Sequence, residues 1–116
     1  MTNTELAKQL AEHPRWQPMA GMRLDSPDGW ARVDDDDPDT WEGWPDLGDG
    51  ATQGCLIEMI GGRFERLHYR RHTADLGGTL WSVLVLEPSG RRQDRRGYTL
   101  GEALARALLA AWGDGA

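Results

Sequence analysis

Thr79-Leu80-Trp81-Ser82-Val83-Leu84-Val85-Leu86, followed at once by Glu87-Pro88-Ser89-Gly90, is the stretch that decides the fold of this 116-residue chain. Its β-branched and aromatic residues are apolar at odd and even positions alike, which predicts a strand central in its sheet. Pro88 and Gly90 end it with turn chemistry. Downstream, Thr99-Leu100-Gly101-Glu102 has the spacing of a capping box. It opens a helix with Leu100, Leu104, Ala107, Leu108, Ala111 and Trp112 on one stripe before Gly113. The intervening Ser89–Gly97 segment reads by composition as an exposed turn.

Upstream of the central strand, Phe64–Arg71 reads as a second strand with Phe64, Leu67 and Tyr69 among charges. Asp49 is the expected N-cap of a helix whose apolar face is Ala51, Cys55, Leu56, Met59 and Ile60, and Gly61-Gly62 stops it. Another capping box, Thr2-Asn3-Thr4-Glu5, starts a short helix ending near Glu12, ahead of His13-Pro14. Between these helices, Gly21–Leu24 and Trp30–Val33 flank Ser26-Pro27-Asp28-Gly29, a reversing turn. The resulting hairpin is expected to hold Met22, Leu24, Trp30 or Val33 partly buried, with Trp30 assigned to the core because amphipathic rings in strands usually pack. Short helices bracketing antiparallel strands predict an α+β class: a small two-layer domain with an antiparallel sheet of about four strands and three short helices on one face. A single domain over 1–116 is expected, with an acidic loop at 34–44.

Charge is distributed unevenly. Residues 1–60 carry 13 Asp and Glu against 4 Lys and Arg, whereas residues 61–116 carry 6 against 9, for a net charge of −6. The acidic excess centres on Asp34-Asp35-Asp36-Asp37-Pro38-Asp39, flanked by Trp30, Trp41 and Trp44. A calcium loop would need oxygen ligands at alternating positions, a central Gly and a Glu at the twelfth position, and this run lacks that order. A solvated loop is the plain reading of such a run, and acids beside tryptophans also fit docking on a basic protein surface, where opposite potentials speed encounter and aromatic anchors supply affinity. The candidate partner-binding residues are therefore Asp34, Asp35, Asp36, Asp37, Asp39, Trp41 and Trp44.

Arg91, Arg92, Arg95 and Arg96 form a second candidate, a loop able to grip phosphates. The net negative charge opposes nucleic acid, so this reading stands as the alternative. A metal site or small enzyme built on His68 and His72 is a weaker third. Those two lie four apart, as in helical zinc motifs, but in a predicted strand with no acidic residue between them. Cys55, the single cysteine, falls on an apolar helix face and suits a buried thiol rather than a nucleophile. No catalytic residue, metal or cofactor is assigned, and the expectation is a protein that is not an enzyme. With no disulfide pair, apolar signal core or run of ~18 apolar residues, a cytoplasmic setting is expected, with no membrane partner.

Pro45-Asp46-Leu47-Gly48-Asp49-Gly50-Ala51-Thr52-Gln53-Gly54-Cys55-Leu56, then a tryptophan-bearing strand and an alanine-leucine helix after Thr99, resembles small uncharacterised proteins of bacteriophages and prophages. Gly50 stands where that family often has proline, and the resemblance spans residues 41–112. It carries no assigned activity. It implies a bacterial host cytoplasm and an accessory factor that binds a host protein, including nucleic-acid-handling or defence machinery such as a CRISPR effector. The expected oligomeric state is a monomer or a homodimer, the latter through the open edge of the Met22–Val33 hairpin.

Overall fold

The N-terminal caps expected for the first two helices form. In α1 (Asn3–Ala11), the Thr2 hydroxyl accepts from the Glu5 amide and the Glu5 carboxylate accepts from the Thr2 amide, each at 3.1 Å. Leu6, Ala7 and Leu10 on its inner face are buried. In α2 (Gly50–Ile60), Asp49 accepts from the Thr52 amide, and a 3-10 turn at Gly61–Arg63 ends the element. Its buried residues are Thr52, Cys55, Leu56 and Ile60, so Thr52 takes the inner place expected of Ala51, which is exposed. The computed structural model describes residues 2–34, 42–71 and 79–113.

Among the described residues, six strands form two antiparallel sheets of three, and with three helices they make an α+β fold. The first sheet contains β1 (Arg23–Ser26), β2 (Gly29–Arg32) and the two-residue β3 (Trp44–Pro45), in the order β2-β1-β3. Directly opposed residues of antiparallel strands share a face. Leu24 opposes Ala31 and Pro45 on the core side, whereas Asp25 opposes Trp30 and Trp44 on the outer side. Met22, Leu24 and Val33 are buried as expected, but Trp30 is 57% exposed, which overturns its assignment to the core. The period of two sends Trp30 outward once Leu24 and Ala31 point in.

The second sheet contains β4 (Phe64–Arg71), β5 (Thr79–Leu86) and β6 (Arg92–Gly97), with β5 central as its apolar run predicts. Residues 92–97 are therefore a strand and not part of a turn. Glu87-Pro88-Ser89-Gly90 makes the reversal, closed by hydrogen bonds between Glu87 and Arg91 and between Glu87 and Gly90. The polar segment then pairs with β5 from Leu86↔Arg92 to Trp81↔Gly97. The unmet backbone groups on the second edge of β5 provide the driving force that composition hides.

α3 (Leu100–Ala111) packs against β5 and β6 on one side and against α1 and α2 on the other. Its expected single stripe widens accordingly: Ala103, Leu104, Ala105 and every residue from Ala107 to Ala111 are buried. The alanines permit this because they let neighbouring backbones approach from several directions. The Thr99 hydroxyl accepts from the Glu102 amide at 3.2 Å, while the Glu102 carboxylate reaches one residue further back, to the Tyr98 amide, also at 3.2 Å.

Candidate interaction surface

The outer face of the first sheet is a row of aromatic and charged side chains built by strand alternation. Trp30, Asp25 and Trp44 stand opposite one another across β2, β1 and β3, with Arg23 and Arg32 forming the adjacent pair. The Arg23 guanidinium lies 4.5 Å from the centre of the Trp30 ring and that of Arg32 lies 6.0 Å from it, a cation–π arrangement. Trp30 is thus exposed yet held.

The arginines are fixed in turn. Arg32 grips Asp49 with both terminal nitrogens, at 2.8 and 3.1 Å, and donates to the Gly21 carbonyl at 2.9 Å. This pairing holds the Asp49 carboxyl far below the usual carboxylate range and raises Arg32, with the Thr52 amide and hydroxyl also lowering Asp49. The Arg23 Nε sits 3.1 Å from Asp25 and 3.3 Å from Asp46. The N-cap of α2 and the outer face of the sheet are therefore one electrostatic unit.

Beside Trp44 this face opens into a cleft of about 560 Å³. One wall is the carboxyl half of α1 (Lys8, Ala11, Glu12), the other is the hairpin turn (Ser26, Pro27, Asp28), and Glu42, Gly43 and Trp44 complete it. Gly43 makes it possible: its φ is +120° and a Cβ there would lie 2.4 Å from the Asp25 carbonyl oxygen. The Lys8 ammonium lies 4.5 Å over the Trp44 ring.

Of the predicted partner-binding residues, Asp34 is exposed just beyond β2, and Trp44 is half-buried in β3, packed against the core. Asp35, Asp36, Asp37, Asp39 and Trp41 lie outside the described residues. Trp30 and its arginine clamp were missed by sequence reasoning. The signal that could have found them was parity, since a buried Leu24 and Val33 leave Trp30 on the other side.

The arginines of the alternative reading do not form one patch. Arg92 and Arg96 are exposed on the face of the second sheet away from α3, where Arg92 pairs with Glu65 and Arg96 with Asp94, each at 3.0 Å. Arg95 opposes buried Val83 on the other face, and Arg91 lies in the connection before β6. Asp94 also accepts a hydrogen bond from Ser82. His68 is exposed on β4, and His72 lies outside the described residues. Among the described residues, no three His, Cys, Asp or Glu side chains converge as metal ligands. Cys55 is 8% exposed, its thiol donates to the Ala20 carbonyl at 3.5 Å, and burial pushes its pKa up. No described helix is long and apolar enough to cross a membrane. No protein-family model, curated protein or solved structure matches the chain.

Proposed function

We propose that this protein is a non-catalytic interaction factor whose outer sheet face, with Trp30 at its centre, docks on a basic surface of a partner protein, together with the acids that follow β2 in the sequence. The observation that carries this reading is Trp30, a large ring 57% exposed on a strand and steadied by two arginines. A pre-positioned aromatic loses little conformational freedom on binding, which is why tryptophan dominates interface hot spots. The acids flanking it supply attraction at a distance and selectivity for positive surfaces.

The resemblance to phage and prophage proteins supports a bacterial host protein as the partner, of the kind that handles nucleic acid or defends against phage. Capture of partners from a bacterial lysate on immobilised protein tests the reading, with Trp30→Ala and Asp34→Lys as variants. Loss of the same captured protein in both is the expected result. Equal capture by folded Trp30→Ala overturns it.

A further inference from the structure

The cleft beside Trp44 differs from the clamp around Trp30 in one respect: the cation over its ring, Lys8, is in no ion pair among the described residues, whereas Arg23 and Arg32 are fixed by carboxylates. The Lys8 ammonium stands 4.5 Å from the centre of the Trp44 ring. Around it, Glu12, Asp28 and Glu42 line the same cleft, and none of the three makes an ion pair among the described residues. The lining therefore holds three carboxylates against one ammonium. Its volume of about 560 Å³ falls in the range of sites that admit a small ligand or several side chains.

We propose that this cleft receives an arginine side chain of the partner, whose guanidinium stacks on Trp44 in place of Lys8 while Glu12, Asp28 and Glu42 accept its N–H groups. The inference rests on the interaction reading above and names the chemistry of the contact. Arginine suits the site because its planar, weakly hydrated guanidinium stacks on an aromatic ring and still presents five donors at its rim. Lysine can place its ammonium over a ring but has no plane to stack and only three donors. In the free chain Lys8 shields the ring from water. On docking it swings aside at small cost, because it is exposed and ion-paired to nothing among the described residues.

Displacement gives the proposal an unusual signature. Removing Lys8 takes away a competitor and a like charge together, so Lys8→Met tightens arginine binding, by roughly three- to fivefold if the cation–π contact is of ordinary strength. Asp28→Asn combined with Glu42→Gln weakens it by a similar factor.

The probe is the capped dipeptide acetyl-Arg-Arg-amide, titrated into isotope-labelled protein at low salt and followed by NMR at the Trp44 indole N–H and the Gly43 amide. Its citrulline counterpart, which has the same shape without the charge, serves as control. Saturable shifts at Trp44 and Gly43 with the arginine peptide alone, and tighter binding by Lys8→Met, are expected. Shifts spread over acidic residues elsewhere with Trp44 unmoved, or no change in affinity on Lys8→Met, overturn the assignment. Because Lys8→Met is an exposed change, this outcome does not depend on a variant that fails to fold. Trp30→Ala separates the two claims: lost partner capture with arginine binding at Trp44 intact upholds both. Intact capture by Trp30→Ala sinks the wider reading while leaving the cleft's chemistry measured.

Discussion

The Thr52 hydroxyl on α2 accepts a hydrogen bond from the Arg23 amide on β1 at 2.9 Å and donates to the Asp49 carboxylate, also at 2.9 Å. Thr52 is fully buried and is the one buried polar residue among those described. Through it the N-terminal turn of α2, the first sheet and the arginine clamp around Trp30 become a single network. Buried polar networks of this kind hold geometry when every member is satisfied and cost stability when one is removed.

Thr52→Val keeps the volume and removes the hydroxyl, leaving the Arg23 amide without its acceptor. The expected loss is about 1–3 kcal/mol, the usual cost of an orphaned buried donor. Urea denaturation checks the magnitude, and a shift of the Trp30 indole signal checks that the clamp has moved.

Asp49 ties the stability of the fold to its ionised form. Pairing with Arg32 depresses its pKa in the folded state, so its contribution is full above the unfolded carboxylate value of about 3.9 and is lost as pH falls below it. Asn is an equally good N-cap but carries no charge. Asp49→Asn is therefore less stable than the parent at pH 7, and the difference narrows steadily below about pH 4. Denaturation midpoints from pH 7 to 2.5 measure it, and a constant difference across that range contradicts the assignment.

Two glycines in helices respond oppositely to alanine. A Cβ on Gly101 would lie 1.8 Å from the Leu47 carbonyl oxygen and 2.8 Å from its Cβ, so Gly101→Ala forces α3 away from the 47–49 turn. Overpacking of this sort costs about 1–3 kcal/mol. Gly54, inside α2, has open space around it, and Gly54→Ala stabilises by about 0.5–1 kcal/mol through reduced backbone entropy in the unfolded chain. Calorimetric melting of the two variants side by side tests the contrast.

The Cys55 thiol is buried and its pKa is raised. In the folded protein it is expected to react slowly with a disulfide reagent at pH 8, the rate rising to that of a free thiol in urea. The unfolded thiol ionises first as pH climbs past about 8.5, so Cys55 contributes stability below that value and loses it above. Cys55→Ala flattens the alkaline limb of the stability profile.

The helix starts were readable because capping is a local device. Thr2 with Glu5, Asp49 with Thr52 and Thr99 with Glu102 each act across three residues, and each side chain caps its helix. The central strand was readable for a related reason: only a strand flanked on both sides tolerates the run from Thr79 to Leu86. The candidate surface was legible only in part. Acidity and tryptophan singled out a stretch of the chain, but Trp30 and Trp44 share the outer face of the first sheet, and Trp44 is the more covered of the two because α1 packs beside β3.

By itself, then, the chain of residues determined the α+β class, three helices and their caps, the β4–β5–turn order and the acidic, tryptophan-bearing region, all of which rest on contacts between near neighbours. Tertiary structure decided the rest. It made a strand of the polar 92–97 segment because β5 had an unpaired edge, and it buried α3 nearly all round because α1, α2 and the second sheet converge on it. It also turned Trp30 outward between Arg23 and Arg32 once Leu24 had been claimed by the core. The burial of α3 depends on groups distant in sequence, and the other two outcomes depend on which edge of β5 and which face of the hairpin the core leaves open, neither of which local composition encodes.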